Sequence, residues 1–343
     1  MVALTLAVCL TVPGCIGVGG RLPNAPAHHR ARGFANENPT FTRPDFWAVQ
    51  AFRFRRLWAS LVGSAPVPSV PRVANDGRGL RANRQAATVT WIGHATWLVQ
   101  LEGVNILTDP QFSDRASPVA FAGPRRLNPP GVAFEDLPPI HAVVISHDHY
   151  DHLDRSTVQR LAAAHRPRFI VPLGLTAWFA SIGIPDAQEL DWWDSTWVEG
   201  VTITATPVQH WSARTPFDMN RRLWAGWAIA GGARRLFFAG DTGYYDGFHR
   251  IGERLGPFDL ALVSIAAYEP PSVMALTHTT PEDALRIFAD VRARTFVAMH
   301  WGTFDLAEEP IDEPPSRLIA AARAQDLPED RVWLLAHGET RPW

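Results

Sequence analysis

The chain has 343 residues and a formal net charge of −2; all 32 of its basic side chains are arginine. That length allows one large hydrophobic core, and the balanced charge offers no basic footprint for nucleic acid. The only cysteines are Cys9 and Cys15. Disulfides and thiolate metal sites are therefore excluded from the rest of the chain, where a metal must be held by His, Asp or Glu.

The start, residues 1–20, reads as a leader. Met1 to Val18 is apolar but short for a bilayer span, and Val12-Pro-Gly-Cys15 resembles a bacterial lipoprotein cleavage site with Cys15 as the lipidated residue. A genuine leader would place the protein in the bacterial cell envelope, periplasmic or lipid-anchored; without one it would be cytoplasmic. Residues 21–85 read as a linker plus an amphipathic segment. Leu22 to Arg43, rich in Pro, Ala, Asn and Arg, is the linker. Phe46 to Val62 has helical spacing, with Trp47, Ala51, Phe54, Trp58 and Leu61 on one face and Arg53, Arg55 and Arg56 elsewhere. The ordinary expectation is that this face packs on the main domain. The alternative is peripheral contact with a membrane surface.

One domain is expected over residues 86–343. Thr88 to Ile92, Trp97 to Leu101 and Val104 to Leu107 read as successive strands, with Glu102-Gly103 as a tight turn. Further strands are expected at Ala142 to Ser146, Phe169 to Val171, Val201 to Ala205, Leu223 to Ala230, Leu236 to Ala239, Leu260 to Ile265 and Phe296 to Met299. Helices are expected at Arg155 to Ala164, Leu173 to Ile182, Asp246 to Leu255, Pro281 to Val291 and Ser316 to Ala324. Strands first, then alternating strands and helices, fit an α/β fold with a sheet core and helices outside.

The chemistry concentrates in His147-Asp-His149-Tyr-Asp151-His152, directly after the apolar run Ala142 to Ser146. Imidazole and carboxylate are ligands for Zn²⁺ and similar metals. His210, Asp241 and His300 each follow a strand in the same way, as expected of residues gathered at one sheet edge. The seven divide into two sets: His147, His149 and His210 for one metal, and Asp151, His152 and His300 for the other, with Asp241 bridging. Two zinc ions per chain are the expectation, with Mn²⁺ or Fe²⁺ as the other metals such ligands accept. His28, His29, His165 and His249 carry the ordinary reading of surface or core histidines.

The pattern His147-x-His149-x-Asp151-His152 with His210, Asp241 and His300 resembles the metallo-β-lactamase superfamily, from Thr88 to about Trp343. The resemblance implies a four-layer αββα sandwich with metals at one edge. Trp91-Ile-Gly-His-Ala-Thr96, Leu107-Thr-Asp-Pro110, Ser113-Asp-Arg-Ala-Ser-Pro118, Gly123-Pro-Arg125, Leu137-Pro-Pro-Ile140 and Ile145 to Leu153 further resemble the N-acylphosphatidylethanolamine-hydrolysing phospholipase D family. That likeness implies a phosphodiesterase with two zincs, yielding phosphatidic acid and an N-acylethanolamine. It also places His278 where the family has an active-site histidine. Thr277 stands where a larger polar residue is expected in the animal enzymes, which touches the head-group pocket and not the metal chemistry.

Thr280-Pro-Glu-Asp283 reads as a capped helix start, so His278 lies just before a helix N-terminus. Asp151 and His278 are the candidate catalytic residues. Asp109 is a candidate for orienting a ligand imidazole, and His94 for lining the site. The alternative activity is a lactone or amide hydrolase with a small-molecule substrate, and the non-enzymatic alternative is a metal-binding surface lipoprotein.

Overall fold

The computed structural model describes residues 20–22, 24–62 and 70–343. The leader-like start, up to residue 19, lies outside the described residues. Among the described residues no helix is long and apolar enough to cross a membrane.

The first strands are short: β1 (His29–Arg30) and β2 (Gly33–Phe34) form a hairpin. The helices α1 (Phe46–Val62) and α2 (Arg78–Ala82) follow. Next come β3 (Thr88–Gly93), β4 (Thr96–Leu101), β5 (Val104–Thr108) and β6 (Ala142–Val144), then α3 (Arg155–Ala164), β7 (Arg168–Pro172), α4 (Thr176–Ser181) and β8 (Gln188–Leu190). The second half contains β9 (Ser195–Val198), β10 (Val201–Thr206), β11 (Gly226–Gly231), β12 (Arg234–Phe238), α5 (Gly247–Leu255) and β13 (Phe258–Ser264). It continues through α6 (Pro271–Met274), α7 (Pro281–Asp290), β14 (Ala293–Met299), α8 (Glu313–Ala324), β15 (Val332–Trp333) and β16 (Thr340–Pro342).

Two seven-stranded mixed sheets result, in the orders β16-β3-β4-β5-β6-β7-β8 and β15-β14-β13-β12-β11-β10-β9. In each, three consecutive pairings are antiparallel and three parallel: β16 to β5 and β9 to β12 antiparallel, β5 to β8 and β12 to β15 parallel. The two halves therefore share one pairing pattern that the sequence motifs do not display, except that the outer antiparallel strand of the first sheet, β16, comes from the end of the chain.

Strand periodicity sorts the first sheet's side chains between two cores. Trp97, Val99 and Leu101 of β4 face the second sheet in the main cluster, with Ile203, Trp227 and Phe238. Leu98 of β4, with Val143 of β6 and Phe169 and Val171 of β7, faces the outer helices and meets Val158, Leu161 and Phe179. Helices α7 and α8 pack together outside the second sheet, with α7 against β13 and β14. The layers are thus helix, sheet, sheet, helix. Glu102 and Gly103 both have positive φ, as a two-residue turn between β4 and β5 requires.

Two expectations for the N-terminal region are corrected. Residues 24–38, read as linker, fold back on the domain: the Phe34 amide donates to the Asn220 carbonyl, and Asn36 and Asn38 bond to the loop around His210. The aromatic face of α1 does not pack on the core, since Trp47 is 73% exposed, Phe54 66% and Trp58 60%. The helix is held instead by its arginines. Arg55 pairs with Glu308, and Arg56 donates to the carbonyls of Ala307 and Asp305. Guanidinium groups reach main-chain acceptors as readily as aromatics reach a core, and the helical pattern alone does not say which face docks.

Candidate metal centre

The loop after β6 turns tightly, with the His149 carbonyl accepting from the amides of His152 and Leu153. Arg214 braces it from outside, donating to the carbonyls of Asp148 (2.7 Å) and Leu153 (2.9 Å). Asp148 is fully buried and pairs with Arg222 at 2.8 Å. That pairing turns Asp148 away from the cluster, leaving Asp151 as the loop's inward carboxylate.

Hydrogen bonds on the outer ring nitrogens fix which nitrogen faces inward. The Ser146 hydroxyl donates to Asp109 at 2.5 Å and so is left to accept from Nδ1 of His147 at 2.9 Å. Nδ1 of His210 donates to the Thr277 carbonyl at 2.8 Å. Nδ1 of His152 donates to Asp109 at 2.7 Å. The rings of His147 and His210 therefore present their Nε2 lone pairs to the centre. His152 turns its Nε2 towards Asp151 and Asp241, and despite burial these carboxylates hold it well above the usual histidine range. Nε2 of His147 and Nε2 of His210 lie 2.9 Å and 3.3 Å from the same atom, Nδ1 of His149. Buried nitrogens with lone pairs aimed at one another repel unless a cation sits among them. The donor set and its protonation therefore fit a metal.

The second group lies alongside. Nε2 of His152 is 3.2 Å from Nε2 of His300, and 3.2 Å from carboxylate oxygens of both Asp151 and Asp241. Nε2 of His300 lies 3.1 Å from Asp241. Asp241 sits between the two groups, within ligand distance of both His147 and His152. All seven expected donors thus meet in one place: His147, His149 and His210 on one side, Asp151, His152 and His300 on the other.

Electrostatics agree with this geometry. Burial, aided by neighbouring imidazoles, pushes His147 and His210 well below the usual histidine range. Burial opposes ionisation of Asp241 and Asp151, but the facing histidines outweigh it and hold both carboxyls well below the usual carboxylate range. Burial also opposes a charge on His300, yet Asp241 and Asp151 raise it to about 9. The negative charge that would draw a proton onto His300 is charge that a metal cation would neutralise.

The remaining candidates border this cluster. Asp109 binds the Ser146 amide as well as its hydroxyl, so one carboxylate anchors both His147 and His152. His94 lies at the β3–β4 turn, its Nε2 2.9 Å from Asp151, and burial lowers its pKa to about 3. His278 follows β13 and precedes α7, whose Thr280 cap accepts from the Asp283 amide. Its Nδ1 lies 3.7 Å from Asp241, and burial lowers its pKa to about 4, so the ring is neutral at neutral pH. His94, Asp109 and His300 all adopt positive φ, a conformation costly for residues other than glycine and typical of positions that chemistry constrains. Gly240, before Asp241, needs its φ of +60°, and a Cβ there would lie 2.6 Å from that of Ser146.

Sequence reasoning missed the supports: Ser146, Arg214, Arg222 and Asn36. The Asn36 side chain donates to the His210 carbonyl at 2.9 Å and accepts from the His210 amide at 3.0 Å, mimicking a strand partner. An arm some 170 residues upstream thus holds a metal-facing histidine. Trp211 borders the cluster, its ring 4.3 Å from that of His149. Trp192 is buried away from it under His28.

The β-lactamase superfamily domain matches residues 104–301. An uncharacterized protein of Mycobacterium tuberculosis is 42% identical over 293 residues, 82% of this chain and 77% of that protein. The N-acyl-phosphatidylethanolamine-hydrolyzing phospholipase D 1 of Caenorhabditis elegans is 46% identical over 228 residues, 63% of this chain and 64% of that enzyme. Among solved structures, a metallo hydrolase of the archaeon Ignicoccus hospitalis superposes with a TM-score of 0.58 at 21% identity, over 76% of this chain and 99% of its own, a likeness of fold. This chain belongs to the metallo-β-lactamase superfamily and is a metal-dependent hydrolase.

Proposed function

We propose that this protein is a dinuclear zinc phosphodiesterase of phospholipase D type, cleaving N-acylphosphatidylethanolamine-like lipids to phosphatidic acid and an N-acylethanolamine. The observation that carries the reading is the pair of donor sets sharing Asp241, with imidazole lone pairs of His147 and His210 turned onto His149. The identity to the nematode enzyme supports the choice of substrate.

Zinc ions in such a pair supply water acidified towards ~7 and positive charge for a phosphoryl oxygen. This chain's residues do the rest. Asp151, ionised and held by His94, is placed to align the attacking water. His278, neutral and only 13% exposed at its side chain, is placed to donate a hydrogen bond to a phosphoryl oxygen as charge develops there. His152 and His147 are held against rotation by Asp109 and Ser146.

Lipid access is supported by α1, which Arg55 and Arg56 fasten to the 305–308 loop close to His300 while Phe46, Trp47, Phe54 and Trp58 stay exposed. The proposal therefore includes peripheral contact of α1 with a membrane surface, and residence at the cell envelope.

The test is incubation of zinc-replete protein with N-acylphosphatidylethanolamine, followed by detection of phosphatidic acid. Product formation that is lost in His149→Ala supports the reading. No product from this or other diester lipids, with turnover of lactones or amides instead, would replace it.

A further inference from the structure

His28 and His29 are neighbours in sequence, yet both rings turn onto one carboxylate. Nε2 of His28 lies 2.6 Å from Oδ1 of Asp191, and Nε2 of His29 lies 2.8 Å from Oδ2. Asp191 is more than 160 residues away, just after β8. Oδ1 also accepts from the Trp192 amide at 2.7 Å. Trp192 closes one wall, its ring 4.2 Å from His28, and Phe34 stands on another, 5.3 Å from His29. The side chains of His29 and Asp191 keep 22% and 17% of their surface exposed, so one side of the cluster remains open to water.

We infer that His28, His29 and Asp191 form a separate structural site for a divalent cation of the zinc type, which fastens the N-terminal arm to the domain. Two imidazole nitrogens and one carboxylate oxygen within 4.8 Å of one another are three donors of a kind tetrahedral zinc takes, and the open side leaves room for a water as the fourth. Tetrahedral zinc–ligand bonds of about 2.0–2.1 Å put ligand atoms about 3.3 Å apart, so the 2.6 and 2.8 Å contacts to Asp191 would have to widen by roughly half an ångström or more. Each ring would then carry its proton on Nδ1. Between residues 24 and 45 only His28 is buried; the rest of the arm is held by part-buried contacts, with Phe34 packed against the core and Asn36 and Asn38 hydrogen-bonded to His210 and Gln209. In small segments without a core, metal ligation commonly supplies anchorage. The consequence reaches the catalytic cluster, because the fastened arm carries Asn36 onto the backbone of His210.

The experiment counts zinc bound to the full chain after chelator stripping and reconstitution with zinc chloride, by native mass spectrometry. Asp191→Asn, which keeps the shape and an oxygen acceptor, and His29→Ala are each expected to bind one zinc fewer than the wild type. The comparison holds whatever number the central cluster takes. Tryptic cleavage at Arg30 and Arg32 is expected to speed up at least tenfold in both variants and in stripped wild type. Should Asp191→Asn fail to fold, His29→Gln, on the exposed side of the cluster, gives the same count. Equal zinc in wild type and variants, or a difference seen only at millimolar zinc, would overturn the site and leave a hydrogen-bonded His–Asp pair.

Discussion

Asp109 grips His152 from behind: its carboxylate takes the Nδ1 proton at 2.7 Å while the opposite nitrogen of the same ring faces Asp241. Through Ser146 the same carboxylate also fixes His147. Asp109→Ala frees both rings to turn or to change tautomer, and leaves a cavity where both carboxylate oxygens are fully buried. Outer partners of this kind are worth about 10–100-fold in metal affinity or activity. A chelator-competition titration of Asp109→Ala is therefore expected to show affinity reduced by that order. Unchanged affinity would remove Asp109 from the account.

Gly240 and Gly183 separate two kinds of glycine requirement. Both have positive φ, but a Cβ at Gly240 meets Ser146 at 2.6 Å, whereas one at Gly183 meets nothing within 4 Å. Gly183→Ala is expected to cost about 1 kcal/mol from backbone conformation alone. Gly240→Ala should cost clearly more and should also weaken metal binding, since it displaces Ser146. Thermal denaturation of the two variants with and without added metal reads both effects.

His337 provides a pH dependence away from the metal cluster. Burial, with Arg126 and Arg72 nearby, lowers its pKa to about 3. The unfolded chain takes up this proton near the ordinary histidine value of about 6.5, so between those limits the unfolded state binds more protons than the folded state. Stability is present in full above about 6.5 and is lost as pH falls towards 3, on the order of 1 kcal/mol per pH unit for this group. The melting temperature of wild type is expected to drop between pH 7.5 and 5, and His337→Gln to drop less. Parallel curves would contradict the assignment.

Strand ends made the metal cluster readable in the sequence. His147, His210, Asp241 and His300 each follow a run with β-branched or aromatic residues, and such runs announce strands whose carboxyl ends converge. The N-terminal arm was not readable, because Asn36 and His28 take their meaning from partners more than 160 residues away. Four edge strands, β8, β9, β15 and β16, are two to four residues long and carry no run that a periodicity could register. The helix over Phe46–Val62 was visible from its spacing, but amphipathicity reports only that one face is apolar. That Trp47 and Trp58 look outward is decided by Arg55 and Arg56 finding partners on the 305–308 loop.

The outward face gives a further prediction. Replacing Trp47, Phe54 and Trp58 together by serine removes exposed surface and touches no core cluster. The melting temperature is expected to change little, while sedimentation with anionic phospholipid vesicles is lost. Vesicle binding that survives the triple substitution would place the lipid-facing surface elsewhere.

Anomalous diffraction at the zinc edge, on crystals grown from zinc-replete protein, tests the central claim most directly. Within the central cluster two peaks about 3.5–4 Å apart are predicted, one among His147, His149 and His210 and the other among Asp151, His152 and His300, with Asp241 between them, besides any separate peak at His28, His29 and Asp191. A central cluster that holds no ion, or holds ions away from these side chains while the enzyme still turns over, would contradict that claim.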